Sequence, residues 1–342
     1  MGRCLCALFV HALAAASLTL AIGIGTTLAT TLAAPAAARA PSASIAAKTR
    51  SAATDGSAPG APVAESGDLA ALWRDACLWE VGSNAEKVPE ARRRLVAEGA
   101  RVLDFLIPAK LDTKDTLVTR ALNVVITGIG KDAAERLVPC LGSDKADVRR
   151  NAADLLGALG ATEAAPAIAE LLADPDARLG ALAALGQLKS PAAVPQIAAL
   201  MESDAPERVR YTAAATLGAV GGDEAVRALA GQLSSPVAPL RYAAQYALEA
   251  LKATGALRAR LGDADLRVRL HAIAALGHIQ DRASRPDLLR FLEDPSPLVR
   301  GFAAEALAAM PDPSDRPIVQ ARLAGETDPF ARGKLTLALA AR

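Results

Sequence analysis

One thirteen-residue stretch recurs in degraded copies through the C-terminal part of this 342-residue chain. The clearest copy, Val148–Gly160, reads Val-Arg-Arg-Asn-Ala-Ala-Asp-Leu-Leu-Gly-Ala-Leu-Gly. Its first arginine aligns with six others at intervals of 28 to 32 residues, which gives the series Arg149, Arg178, Arg210, Arg241, Arg269, Arg300 and Arg332. Periods of about 20 to 50 residues are typical of repeat proteins, in which each unit contacts only its neighbours. The sequence therefore predicts an array of small units instead of one large globular core.

Each unit has the pattern of a pair of helices. Three copies carry small residues three and four positions after the arginine, as in Ala152-Ala153. A Leu-Gly pair comes next in four copies, at Leu156-Gly157, Leu185-Gly186, Leu217-Gly218 and Leu276-Gly277. We expect this glycine to mark the end of the first helix, where a missing side chain permits close packing or a left-handed turn. A proline suits the first turn of the second helix, and it occurs at Pro166, Pro195, Pro286 and Pro317.

The composition agrees with stacked helices, because only five Phe, three Tyr and two Trp are available to build a core. The Asp/Pro-rich loops, the Val-Arg pair, the alanine pair and the Leu-Gly-Ala-Leu-Gly that ends at Gly160 resemble the short bacterial HEAT repeats of the phycobilisome-lyase-like kind. The resemblance extends over residues 112–342. It implies an all-α fold, a right-handed α-solenoid of stacked helical hairpins.

The N-terminal 40 residues have the features of an export signal. No residue between Arg3 and Arg39 is charged, and most are apolar or small. The apolar run exceeds the core of a typical signal peptide and is long enough to span a bilayer, so a signal peptide and an uncleaved anchor at residues 4–34 both stay open. Either predicts a location outside the cytoplasm, periplasmic, secreted or membrane-anchored. The Ala/Ser/Pro-rich residues 41–66 predict a flexible linker.

Residues 67–111 precede the array and predict a capping pair of helices. The first helix carries Trp73 and Trp79 on its apolar face, and we expect both rings to cover the open end of the array, since an end unit has no neighbour on one side. The second helix is expected to begin near Pro89 and to stop at Pro108.

The charge balance argues against wholesale nucleic-acid binding. The chain has 38 basic and 37 acidic residues. Removal of Arg3 and Arg39 with the leader leaves 36 against 37, a net charge of −1. A protein that neutralises many phosphates needs a basic surface, so we expect no nucleic-acid partner.

The seven aligned arginines, from Arg149 to Arg332, are predicted to stabilise the repeats. Acidic residues lie close to several of them in sequence, at Asp147, Asp176, Glu207, Asp265 and Asp328. Since a half-buried arginine is normally paired, we expect ion pairs between repeats and hydrogen bonds to the loops.

The second helices change in charge along the array. The early ones carry Glu163, Glu170 and Gln196, whereas arginine dominates the later ones. The candidates for contact with another protein are Arg227, Arg258, Arg260, Arg290 and Arg322. A merely solvated surface is the alternative, because the local excess of charge is small.

Cys77 and Cys140 are the cysteines that remain after the leader. In an oxidising compartment they could form a disulfide, and each also fits an apolar helix face as a small hydrophobic side chain. Both interpretations stay open.

Chemistry of the kind found in related hydroxylases is not predicted. HEAT-like hydroxylases bind iron through His-Glu pairs, whereas none of the histidines here, His11, His271 and His278, precedes a glutamate. We expect packing or surface roles for His271 and His278, and we predict no metal, no cofactor and no catalytic residue.

The sequence thus predicts a non-catalytic scaffold that presents a curved helical surface to another protein outside the cytoplasm. Two alternatives remain: a HEAT-like enzyme related to hydroxylases or lyases, and a structural subunit of an envelope assembly.

Overall fold

The computed structural model describes residues 66–341, which contain eighteen α-helices joined by short loops and 3₁₀ turns, and no strand within that range. The leader and nearly all of the linker lie outside these residues, so the predictions for them are not tested. Three helices precede the array: α1 (Ser66–Ala76), α2 (Lys87–Ala97) and α3 (Ala100–Lys110).

Seven helical hairpins and a final single helix follow. The hairpins pair α4 (Thr116–Ile129) with α5 (Asp132–Leu137), α6 (Ala146–Leu159) with α7 (Ala165–Glu170), α8 (Arg178–Leu188) with α9 (Val194–Glu202), α10 (Glu207–Val220) with α11 (Gly222–Gly231), α12 (Ala238–Ala250) with α13 (Thr254–Ala259), α14 (Leu266–Ile279) with α15 (Arg285–Arg290), and α16 (Pro297–Ala309) with α17 (Arg316–Gly325). The last helix is α18 (Pro329–Ala340).

Successive first helices, from α4 to α18, pack against one another as one layer, and each second helix packs against the first helices beside it. The buried core between the layers is built mainly of Leu, Ala, Val and Ile. The predicted all-α solenoid of stacked hairpins is confirmed, and its right-handed sense stays a prediction.

The prolines begin the second helices as predicted. Pro166, Pro195, Pro286 and Pro317 are each the second residue of their helix, where the missing N–H has no intrahelical acceptor to lose.

The glycine of the Leu-Gly pair has a packing role. Gly157 lies inside α6, and the left-handed backbone comes three residues later, at Gly160, with a φ of 67°. A Cβ on Gly157 would come within 2.8 Å of the Cα of Ala184 on the next first helix. We call the contact between two successive first helices a seam. Two other seams have the same close approach, between Gly218 and Ala247 and between Gly277 and Ala306. Of the two roles expected for this glycine, the structure supports close packing, and the helix ends two residues beyond it.

The N-terminal cap differs from its prediction in three respects. The expected second helix is divided at Gly99, whose φ of 55° and ψ of −127° break the helix into α2 and α3. Pro108 does not end α3, because it lies in the last turn, where its missing N–H costs a single backbone hydrogen bond. Trp73 is buried as expected, but Trp79 is 61% exposed, since α1 ends at Ala76 and leaves Trp79 in a loop.

Candidate partner-binding surface

All seven aligned arginines donate hydrogen bonds to backbone carbonyls: six bind the segment just before their own helix, and Arg210 binds the last turn of the preceding second helix. In five repeats the acceptor lies six residues earlier: Arg149 to Ser143, Arg241 to Ser235, Arg269 to Asp263, Arg300 to Asp294 and Arg332 to Glu326, with Nη1–O distances of 2.6 to 3.1 Å. Arg178 binds the carbonyls of Ala173 and Asp174, and Arg210 binds that of Met201. The predicted loop bonding is therefore present, and its contribution to stability stays a prediction.

Ion pairs between repeats involve other acidic residues than those predicted. Arg149 Nε lies 2.7 Å from Asp174 Oδ2, and Arg300 Nε lies 2.7 Å from Glu326 Oε2. Each acid belongs to the loop that precedes the next first helix, 25 or 26 residues farther along the chain. Desolvation opposes the ionisation of Asp174, but hydrogen bonds from the Asp176 N–H and the Arg149 guanidinium hold its pKa below the ordinary value.

Five acids lie near the aligned arginines in sequence: Asp147, Asp176, Glu207, Asp265 and Asp328. Three of them have other partners, and two form no ion pair with the described residues. Asp147 pairs with Arg150, Asp265 receives the backbone N–H and the guanidinium of Arg267, and Asp328 caps α18 through the Ala331 N–H. No ion pair in the described range involves Asp176 or Glu207. Among the described residues, none of these five acids forms an ion pair with the aligned arginine nearest to it in sequence, because that guanidinium extends to loop carbonyls. The charges of Asp265 and Asp328 instead act on Arg241 and Arg300, the aligned arginines of the preceding repeat.

Glu326 accepts hydrogen bonds from three arginines at the last repeat. Its carboxylate accepts hydrogen bonds from Arg300 and Arg322, and its carbonyl oxygen accepts one from Arg332. The side chain is almost fully buried, at 2% residue exposure. The Arg300 guanidinium, aided by the Asp328 N–H and Arg322, lowers the pKa of Glu326 to about 2 against the effect of desolvation.

The arginines predicted to bind a partner fall into two groups. Arg227, Arg258 and Arg290 are exposed on the second helices, and the weak contacts of the last two are with Asp281 and Asp287. Arg260 is half-buried against Asp263. Arg322 is a correction, because its side chain is only 17% exposed and is engaged by the Leu292 carbonyl at 2.7 Å and by Glu326. It holds α17 in place and does not face a partner.

The early second helices, which carry the acidic residues, expose those side chains to solvent. Glu163, Glu170 and Gln196 are all exposed, and no ion pair joins them to other residues of the described range. The charge difference along the second helices therefore survives in the fold, without Arg260 and Arg322.

The two cysteines are free thiols in the structure, which agrees with the packing interpretation of the two that the sequence left open. Cys77 and Cys140 are both half-buried and pack against the core as small apolar side chains. Burial raises the pKa of the Cys77 thiol to about 11 and also raises that of Cys140.

The two histidines lie at one seam, between α12 and α14, in a chain of polar contacts that the sequence did not predict. Arg241 Nε donates to His271 Nε2 at 3.4 Å, and His271 Nδ1 lies 2.5 Å from Gln245 Oε1. Gln245 Nε2 then donates to Glu249 Oε1 at 2.7 Å, and His278 Nδ1 lies 2.9 Å from the same oxygen. Burial, with the Arg241 charge, lowers the pKa of His271 to about 4. The one signal in the sequence was Glu249, which occupies the glycine position of the repeat.

Within residues 66–341, no three His, Cys, Asp or Glu side chains are grouped so that they could hold a metal ion. A cavity of about 140 Å³ lies between α16, α17 and α18, beside Leu307, Val319 and Leu339. In the same part of the chain, no helix has the length and apolar character needed to cross a membrane.

Comparison with known proteins identifies the repeats. The family profile described as HEAT repeats matches residues 170–249 and 254–340, and that of the PBS lyase HEAT-like repeat matches residues 148–174. No curated protein matches the sequence.

Among solved structures, the phycocyanin lyase complex of CpcE and CpcF from Nostoc sp. PCC7120 is 22% identical, with a TM-score of 0.35 over 61% of this chain and 94% of that one. YibA of Escherichia coli is 18% identical, with a TM-score of 0.42 over 78% of this chain and 99% of that one. Human deoxyhypusine hydroxylase is 23% identical, with a TM-score of 0.30 over 74% of this chain and 98% of that one.

Proposed function

This chain belongs to the HEAT-repeat proteins, with repeats like those of phycobilisome lyases, and from that premise we propose that it is a non-catalytic scaffold. Its second helices hold another protein, outside the cytoplasm. Repeat arrays of this kind present long surfaces on which side chains can vary without loss of the stacked core.

The observation that carries the proposal is the exposure of Arg227 and Arg290 on second helices. Arg227 forms no ion pair with the described residues, and the Arg290 side chain is 72% exposed, with contacts to Asp287 and to the Phe291 ring. A guanidinium held this loosely can move to an acidic partner at little cost, whereas the arginines of the aligned series are already committed to carbonyls.

Charge complementarity supports an extended partner. Exposed Glu163 and Glu170 lie on α7 or the turn before it, and Arg227, Arg258 and Arg290 lie on α11, α13 and α15. A partner with basic groups toward one end and acidic groups toward the other would fit both parts, which favours correct orientation and fast association.

The location outside the cytoplasm is supported by the sequence of residues 1–40. The uncharged run between Arg3 and Arg39 has the character of a secretory signal, and cleavage and anchoring are the two outcomes that it allows. N-terminal sequencing of the protein purified from its native cells distinguishes them: cleavage gives a start near residue 40, and an anchor leaves the leader in place.

The binding test is crosslinking in native cells, followed by mass spectrometry of the captured peptides. We expect the double variant Arg227→Glu/Arg290→Glu to recover about tenfold less of the partner found with the natural chain. The matched control is Arg93→Glu, because Arg93 is equally exposed and also pairs with an acid three residues earlier, Glu90, but lies in the cap. Undiminished recovery with the double variant would overturn the proposal.

A further inference from the structure

The seam between the first helices α12 and α14 differs from other seams in the residue at the glycine position of the repeat. At three seams, those after α6, α10 and α14, a glycine lets the helix backbones approach, whereas Glu249 occupies that position on α12. The larger side chain is accommodated by a polar layer of Gln245, His271 and His278. This seam therefore has a polar layer where three others have close backbone packing, and such a break in the local pattern is typical of a functional site.

The tyrosines of the chain are concentrated beside this seam. The chain has three tyrosines, and Tyr242 and Tyr246 lie on α12, one helical turn apart. Their ring centroids are 6.5 Å apart, and the His271 ring meets Tyr242 edge-on at a centroid distance of 5.0 Å. Tyr242 nevertheless stays 48% exposed. These contacts hold an exposed aromatic ring in a fixed orientation, as is common where proteins bind one another.

Tyr242, Tyr246 and Glu249 form one stripe, because positions i, i+4 and i+7 share a face of an α-helix. Both hydrogen bonds to the Glu249 carboxylate, from Gln245 and His278, end on Oε1. Its other oxygen, Oε2, accepts none from the described residues. The stripe therefore combines a ring surface with an anionic acceptor that has unused capacity.

We propose that this stripe binds an arginine side chain of a partner protein. A guanidinium is planar, so it can donate to Glu249 Oε2 while its flat face and aliphatic stem lie along the tyrosines, an arrangement that the compact ammonium group of lysine satisfies less well. The guanidinium of Arg241 is held at the other end of the polar layer, where its Nε donates to His271 Nε2 at 3.4 Å and its Nη1 donates to loop carbonyls. We therefore place the partner's guanidinium at the end of the stripe that carries Glu249, away from Arg241.

This site lies on first helices, whereas the scaffold surface proposed above lies on second helices. The two proposals stand or fall separately, since the variants that test one leave the residues of the other unchanged. The chain also provides an internal control, because Tyr211 occupies on α10 the repeat position that Tyr242 occupies on α12, without a glutamate at the glycine position, which is Gly218.

The experiment is a ¹⁹F NMR titration of the full-length chain labelled with 3-fluorotyrosine, which gives one signal per tyrosine. Each signal is assigned from a Tyr→Phe variant. The probe is the tripeptide acetyl-Ala-Arg-Ala-amide, and its Lys and Glu counterparts are the comparisons. We expect the Arg peptide to shift the signals of Tyr242 and Tyr246 and to leave that of Tyr211 in place, the Lys peptide to bind more weakly, and the Glu peptide to cause no shift.

Two variants complete the test. Glu249→Gly restores the repeat glycine, and Glu249→Gln keeps the shape of the side chain without its charge. Each should weaken binding of the Arg peptide about tenfold. The proposal is overturned if the Arg peptide shifts no tyrosine signal, if it shifts Tyr211 as much as Tyr242, or if both Glu249 variants bind it as the natural chain does.

Discussion

Glu326 and Asp154 are carboxylates with opposite environments. Glu326 is surrounded by donors, and its charged form is stabilised. Asp154, on α6, is desolvated near Gly180 of the next helix, and the nearby Arg150 charge offsets this only in part, so its pKa rises to about 6. Desolvation therefore penalises both charges, and only at Glu326 do the partners outweigh that penalty.

Replacement of Glu326 by glutamine should be strongly destabilising. It removes the charge that Arg300 and Arg322 share, and a buried cation without its counter-charge costs about 3 kcal/mol or more. The urea concentration at which the last repeats unfold should therefore fall. Glu293→Gln is the control, since Glu293 is exposed and 3.9 Å from Arg322, and its effect should stay within about 0.5 kcal/mol. Equal midpoints for the two variants would contradict the role assigned to Glu326.

Asp154→Asn should stabilise the protein at pH 7 by about 1 to 2 kcal/mol, after allowance for partial exposure. The folded-state pKa of about 6 lies above the ordinary value of 3.8, so the folded chain binds this proton more tightly than the unfolded chain does. The Asp154 contribution to stability is therefore present below about pH 4 and is lost as the pH rises to about 6. Thermal melts across this window should show that loss in the natural chain and not in the variant.

The first helices are the elements that set the geometry of the array, through the close approach of their backbones. A Cβ on Gly277 would lie 2.7 Å from both Cα and Cβ of Ala306, and backbone cannot move aside as the end of a side chain can. At three seams the spacing of the first helices is therefore limited by the glycine position, at Gly157, Gly218 and Gly277.

Gly277→Ala should destabilise the protein by about 1 to 3 kcal/mol, as overpacking of a core does. Gly255→Ala is the matched control, because Gly255 lies in α13 with no atom within 4 Å of a Cβ placed on it. Alanine favours the helix there by about 0.5 to 1 kcal/mol. Chemical denaturation should move the two midpoints in opposite directions, and a shift in the same direction would refute the packing role of Gly277.

The sequence predicted the elements that repeat and missed contacts between them. The arginine, alanine, leucine and glycine positions were enough to predict hairpins, because the same local pattern returns in each unit. The partners of Arg149 and Arg300 lie 25 and 26 residues away in loops, where the pattern varies. Glu249 was visible as an exception, but its contact with His278 depends on the packing of two helices. Division of the cap at Gly99 depended on one positive φ, which composition does not reveal.

Residues 116–340 form a linear array of repeats, so a change at one end of this array should not reach the other. Each hairpin packs mainly against its neighbours, and stability is then close to a sum over units and seams. Amide hydrogen exchange of Glu326→Gln should therefore increase in α16 to α18 and stay as in the natural chain in α4 to α6. Faster exchange along the whole array would show that the chain unfolds as one cooperative unit.

In five repeats, the hydrogen bond from the aligned arginine to the carbonyl six residues earlier also limits where the array can change in length. An insertion between those two residues would break the bond, whereas the residues after the first helix carry no such fixed spacing, and the period varies from 28 to 32 there. A segment that begins at one such carbonyl and ends just before the next contains a complete set of local contacts. Duplication or deletion of that segment would therefore give a longer or shorter array in which each remaining repeat keeps its hydrogen bond between arginine and loop carbonyl.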